Sequence, residues 1–153
     1  MRAMIRLSDT AIDPGALLTA FLAGRSDTGG VVSFTGLVRR DGEVEALELE
    51  AYPGFTEAEI GRIIAEAIAR FSLDDALAVH RVGRVEPGQP VVFVAAAARH
   101  RRAAFEGADF LMDYLKSRAP FWKKSHEAGG ARWIEPTARD HADVARWENE
   151  EPR

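Results

Sequence analysis

Two groups of basic residues stand out in a chain that is acidic overall, with a formal net charge of -4 and a pI near 5.6. One is Arg99-His100-Arg101-Arg102. The other comprises Lys116, Lys123 and Lys124, carried by the segment Leu111-Met112-Asp113-Tyr114-Leu115-Lys116-Ser117-Arg118-Ala119-Pro120-Phe121-Trp122-Lys123-Lys124. Crowded cations repel one another unless an anion sits among them, and a helix start, where 99–102 falls, adds its own positive potential; a small anion such as phosphate fits both. A lysine near other cations, or partly desolvated, gives up its proton more readily, and its amine can then act as a base or nucleophile. Lys116 and Lys123 are the candidates for such chemistry, on condition that the fold brings them to Arg101. Plainer readings stand beside this one: a surface turn paired with carboxylates for 99–102, a cation offsetting the helix dipole for Lys116, and a basic patch on an aromatic anchor for Trp122-Lys123-Lys124.

Other chemistries find little purchase. The chain has no cysteine, so thiolate metal sites, persulfides and disulfides are excluded, and any sulfur must be brought by another molecule. His80, His126 and His141 show no metal-ligand spacing and receive no role; no metal and no cofactor is expected. The glycines form neither a phosphate loop nor a dinucleotide fingerprint, and Ser33, Ser117 and Ser125 lack a nucleophile elbow.

The elements that must position these residues follow from pattern. Residues 4–7 read as a short strand. Asp13-Pro14 opens a helix to about Ala23, closed by Gly24. Residues 31–38 and 44–52 read as a hairpin around Arg39-Arg40-Asp41-Gly42-Glu43, with Arg39 and Arg40 at its tip. Thr56 and Glu59 form a capping-box pattern before Ile60, Ile63, Ile64, Ala67, Ile68 and Phe71. Residues 77–85 read as one strand, and 90–98 as a strand buried on both faces. A helix over 102–118 ends at Pro120, and Phe121-Trp122 anchors a loop that presents Lys123 and Lys124. A short strand at 132–134 and a polar helix or tail over about 137–153 complete the chain.

With 153 residues, 46% hydrophobic and 29% charged, the chain fits one soluble α/β (α+β) domain over 1–153, with about three main helices and mixed or antiparallel strands. The acidic balance argues against nucleic-acid binding. No apolar run approaches the roughly 18 residues of a membrane span and no signal-peptide core is visible, so the expected location is the cytoplasm.

The motifs resemble a known family, the large, catalytic subunit of molybdopterin synthase. The resemblance rests on an ordered series: Phe34-Thr35-Gly36-Leu37-Val38-Arg39, Leu49-Glu50-Ala51-Tyr52-Pro53-Gly54-Phe55-Thr56-Glu57, His80-Arg81-Val82-Gly83, Pro87-Gly88, His100-Arg101, Ala104-Phe105, Met112 through Lys124, and Arg132-Trp133. It implies an α/β hammerhead fold. It also implies a sulfurtransferase of molybdenum-cofactor biosynthesis, which takes sulfur from the C-terminal Gly-Gly thiocarboxylate of a small ubiquitin-like subunit and places it on cyclic pyranopterin monophosphate as a dithiolene. The implied assembly is a homodimer within a heterotetramer. By the same resemblance Lys116 and Lys123 are catalytic; the chemistry of the residues, as a hypothesis on which does which, gives Lys116 proton-transfer or acyl chemistry and has Lys123 polarise the thiocarboxylate carbonyl. Phe34, Leu37, Val38, Arg39, His100, Arg101, Lys124 and Ser125 bind substrate. Ser125 departs from the acidic residue usual at its position, a role that passes to Glu127 if it persists. A short 39–44 turn and Thr137 in place of an arginine are further departures. The competing reading is a non-catalytic module that binds a phosphorylated metabolite or a partner's tail on the same fold.

Overall fold

The computed structural model describes residues 5–42 and 44–148. In chain order the elements are β1 (Ile5–Ser8), α1 (Pro14–Leu22), β2 (Gly30–Leu37), β3 (Val44–Ala51), α2 (Phe55–Phe71), β4 (Asp75–Arg81), β5 (Gly83–Val85), β6 (Pro90–Ala98), α3 (Arg101–Ser117), β7 (Phe121–Glu127), β8 (Gly130–Ile134) and α4 (Ala138–Glu148). The strands make two four-stranded sheets, ordered β1-β4-β6-β2 and β5-β3-β7-β8. Among the described residues only the β1–β4 pair is parallel. The mixed α+β class stands, with four helices among the described residues rather than about three.

β6 is the spine of the first sheet, and its two faces explain its unbroken apolar sequence. Val92, Val94, Ala96 and Ala98 pack under α2 and α3 with Ile60, Ile64, Phe110 and Leu111; Phe93, Ala95 and Ala97 pack with Ile12 and Phe21 on the α1 side. Burying a side chain such as Phe93 or Phe110 contributes about 1.5–3 kcal/mol. α3 lies close on this sheet at Gly107, where an added Cβ would come within 2.8 Å of Leu73 Cδ1 and 3.4 Å of Ala96 Cβ. α1 begins as its sequence dictates, with the Asp13 carboxylate accepting from the Ala16 N–H at 3.1 Å. The C-terminal segment is a docked helix: Val144 and Trp147 are buried, and the Trp147 indole donates to Asp113 at 2.6 Å.

Four local expectations are corrected. Residues 31–38 and 44–52 do not pair: β2 joins β6, whereas β3 joins β5 and β7 in the other sheet. The Asp41-Gly42 turn does form, with Gly42 at φ 63° and the Val44 N–H donating to the Asp41 carbonyl, but the strands diverge from it because both find larger partners; Glu43 lies outside the described residues. Residues 77–85 divide at Gly83, whose φ of 83° turns the chain from the first sheet into the second. Thr56 is no cap residue, since α2 starts at Phe55. Its hydroxyl accepts from the Tyr52 N–H at 2.8 Å and donates to the Pro120 carbonyl at 2.8 Å, while Glu59 pairs with Arg62. Finally, Phe121–Glu127 is a strand and not a loop: β3 offers it a full ladder from Val44 to Ala51.

Candidate active site

α3 runs antiparallel to β6, so its last turn returns to the Pro90 end of that strand. Met112, Leu115 and Lys116, three and four residues apart, share the face pointing there. Pro120 ends the helical run, and the Thr56 bridge to its carbonyl fixes where the chain enters β7. Strand alternation then decides which β7 residues meet Lys116: Phe121, Lys123 and Ser125 face inward, and Trp122, Lys124 and His126 face out. Between the two sheets this leaves a cavity of about 50 Å³, lined by Leu47 and Leu49 of β3, His80 of β4, Val91 and Val92 of β6, Met112, Leu115 and Lys116 of α3, and Lys123 of β7.

The two lysines therefore share one cavity, reached from different elements. Lys116 is exposed at its rim, and Lys123 is half-buried. Neither forms an ion pair among the described residues. Burial, and then the charge of Lys116, pull the Lys123 ammonium down from 10.5 to about 8, against a smaller pull upward from Asp140. Roughly a tenth of Lys123 is then free amine at neutral pH, against about one part in three thousand for an ordinary lysine. The apolar walls also strengthen any charge interaction made inside.

His80 joins them, although its spacing from the other histidines gives it no role. It is 6% exposed and stacks on the Phe121 ring at 4.2 Å between centroids. Burial holds its pKa down to about 4, against a backbone hydrogen bond that raises it, with Lys123 and Lys116 lowering it further. Besides its place in the His80-Arg81-Val82-Gly83 motif, register is the hint in the sequence: His80 continues the inward series Ala76 and Ala78, a position normally apolar.

The remaining expected residues scatter. Val38 is buried with Leu49 and Val85 behind the cavity. Lys124 lies on the outer face, its Nζ 4.6 Å from the centre of the Trp133 ring, opposite Glu48. Ser125 is fully buried on the Lys123 face, with Oγ and Glu127 Oε1 3.5 Å apart, and Glu127 also meets Arg132 at 3.2 Å. Phe34 and Leu37 are exposed on β2, and Arg39 is exposed beside Asp41. His100 and Arg101 sit at the start of α3, about 22 Å from Lys116 by helical rise. Within one chain they do not reach the lysines, so the convergence with Arg101 is not met there. No residue of 99–102 is ion-paired among the described residues, which removes the paired-turn reading.

Residues 7–118 match the family described as MoaE protein. The chain belongs to this family. A molybdopterin synthase catalytic subunit from Caulobacter vibrioides is 58% identical over 148 residues, 96% of this chain and 99% of the relative. A MoaE protein of molybdopterin biosynthesis from Burkholderia ambifaria superposes with a TM-score of 0.83 at 43% identity, over 97% of this chain and 100% of that one. Molybdopterin synthase from Staphylococcus aureus gives a TM-score of 0.78 at 26% identity, over 88% of this chain and 98% of its own. The MoaE match takes in His80, His100, Arg101 and Lys116, so the two cationic ends of α3 both lie within the family's own stretch.

Proposed function

We propose that this chain is the catalytic subunit of a molybdopterin synthase, a sulfurtransferase that moves sulfur from the C-terminal thiocarboxylate of a small ubiquitin-like subunit to cyclic pyranopterin monophosphate. The observation that carries the reading is the unpaired Lys116–Lys123 pair at one apolar cavity, with Lys123 poised near neutrality. Thiocarboxylate sulfur bonds to a carbon of the pterin side chain as the carbon–oxygen bond at that carbon breaks and the oxygen leaves with its electron pair; water then adds to the tail's carbonyl carbon, the bond between that carbon and sulfur breaks, and the tail leaves as a carboxylate with its sulfur left on the pterin. A Lys123 amine accepts the proton of that water, and Lys116 at the rim holds the anionic groups. This reverses the division of labour expected from the sequence, because burial rather than position in the sequence decides which amine sheds its proton. A Gly-Gly tail suits a cavity this narrow, since glycine allows close backbone approach.

A cavity of about 50 Å³ is too small for a pterin phosphate, whose usual site would be about 300 Å³ or more. A second copy completes the site in this proposal. β2 is an edge strand of eight residues, apolar, with Phe34 and Leu37 exposed on it and Phe105 exposed on the neighbouring helix. Antiparallel pairing of two β2 strands about a twofold axis lays the Gly30 end of one copy beside the Leu37 end of the other. Arg101 packs against Gly30, and Arg39 follows Leu37, so the cations at 100–101 of one copy arrive at the lysine end of its partner.

In this reading residues 1–153 form one catalytic-subunit domain working in the cytoplasm; no helix of the described residues is long and apolar enough to cross a membrane. The test is to mix the protein with the thiocarboxylated small subunit and cyclic pyranopterin monophosphate and look for dithiolene. Tight anion binding without product would instead favour the non-catalytic binding module.

A further inference from the structure

His80 is the one titratable group in the cavity that the proposed chemistry leaves unused. Its Nδ1 lies 2.8 Å from the Arg81 carbonyl. A carbonyl only accepts, so Nδ1 carries the ring proton and Nε2 is left as a bare lone pair. No protein group among the described residues takes that lone pair. Nor is Nε2 sealed off: the only buried side-chain polar atom without a partner among the described residues is Arg81 Nε. Nε2 therefore opens to free space, and for a residue lining this cavity that space is its interior.

The groups facing His80 make the acceptor specific. Phe121 covers one ring face and can offer no donor. Arg81 turns to the other side of the sheet, where its guanidinium donates to the Arg84 carbonyl. What remains are two amines, Lys123 from β7 and Lys116 from α3, and Lys123 acts on His80 the more strongly. Because the ring stays neutral through the physiological range, it adds no third positive charge to the cavity. It can accept an N–H from Lys123 in either protonation state of the lysine.

We propose that His80 is a positioning residue: its Nε2, which no protein group among the described residues engages, is the acceptor onto which Lys123 Nζ closes across the cavity, and that bond aims the lysine's remaining valence at the reacting carbonyl. The proposal rests on the sulfur-transfer reading for its kinetic consequence but not for its physical one. A neutral acceptor stabilises ammonium more than amine, so its loss lowers the lysine's pKa.

The test uses two substitutions and a spectrum. In the whole protein with 15N-labelled histidine, the His80 resonances are expected to show Nδ1 protonated and Nε2 bare at neutral pH. The Nε2 signal should move in Lys123→Met. An Nε2-protonated tautomer, or an Nε2 signal indifferent to Lys123→Met, overturns the proposal whether or not the protein transfers sulfur. His80→Asn keeps a donor near the Nδ1 position and removes the distal acceptor, whereas His80→Gln reaches the Nε2 position with an amide oxygen. With the thiocarboxylated small subunit, His80→Asn is expected to lower kcat roughly tenfold, the rate equivalent of one hydrogen bond to a charged group. It should also shift the lysine limb of the pH profile to lower pH, and His80→Gln should restore most of both. Equal losses in the two variants with an unmoved limb mean that His80 only fills space, and overturn the proposal. If wild type itself shows no transfer while the spectra behave as expected, it is the sulfur-transfer reading that fails.

Discussion

At the scale of single residues, Lys123 carries two obligations that conflict. The lowered pKa that makes its amine available is a measure of how badly the folded protein tolerates its charge. Below pH 8 the cost is fully present; between about 8 and 10.5 the unfolded chain holds the proton that the folded chain has released, so stability climbs with pH across that window. Lys123→Met should therefore raise stability at pH 7 by roughly 1–3 kcal/mol while abolishing transfer, and the gain should shrink toward pH 10.5. Chemical unfolding at a series of pH values checks this. His80 titrates on the acid side: its folded value of about 4 lies below the ordinary 6.5, so the cost of charging it is absent above 6.5 and fully present below 4. Wild type should lose up to ~3 kcal/mol over that interval relative to His80→Gln, read as the difference between their unfolding curves. The lysines are legible in the sequence as types, since cations crowded in an acidic chain ask for a reason. Lys124 shows where that reasoning stops: one step along a strand reverses the face, and only the β3 ladder decides that Lys123 is the residue facing in.

At the scale of elements, period and punctuation in the sequence mark α1, α2, α3 and β6 with little error, because each depends on local capping or on a long apolar run. Partner choice is not legible. β2 and β3 flank an Asp-Gly turn that really forms, yet they belong to different sheets, since the energy of pairing comes from cross-strand packing that no local signal encodes. The same blindness hides β7, which reads as a loop after Pro120 although its ladder with β3 runs its whole length. Thr56 ties these pieces together, holding the start of α2 to the entry of β7 by two hydrogen bonds. Thr56→Val keeps the shape and strands both partners, so it should cost about 1–3 kcal/mol in thermal or urea unfolding. It should also reduce transfer beyond what stability explains, because Lys123 lies three residues past Pro120.

At the scale of the whole molecule, α3 separates two cationic ends that one chain cannot bring together, and the unpaired β2 edge supplies the reason to expect a second copy. The arrangement predicts complementation. Lys123→Ala and Arg101→Ala proteins, each inactive alone, should recover roughly a quarter of wild-type activity when mixed and allowed to exchange, because one site in four then combines an intact lysine with an intact arginine. No recovery, with exchange demonstrated, removes the shared site. The central claim, that the paired lysines of this fold perform sulfur transfer, is reached most directly by a single-turnover experiment with thiocarboxylated small subunit and cyclic pyranopterin monophosphate. Dithiolene formation in wild type and its loss in both Lys116→Ala and Lys123→Ala are the predicted results; near-normal rates in the two variants, or no product from wild type with a validated partner, would contradict the claim.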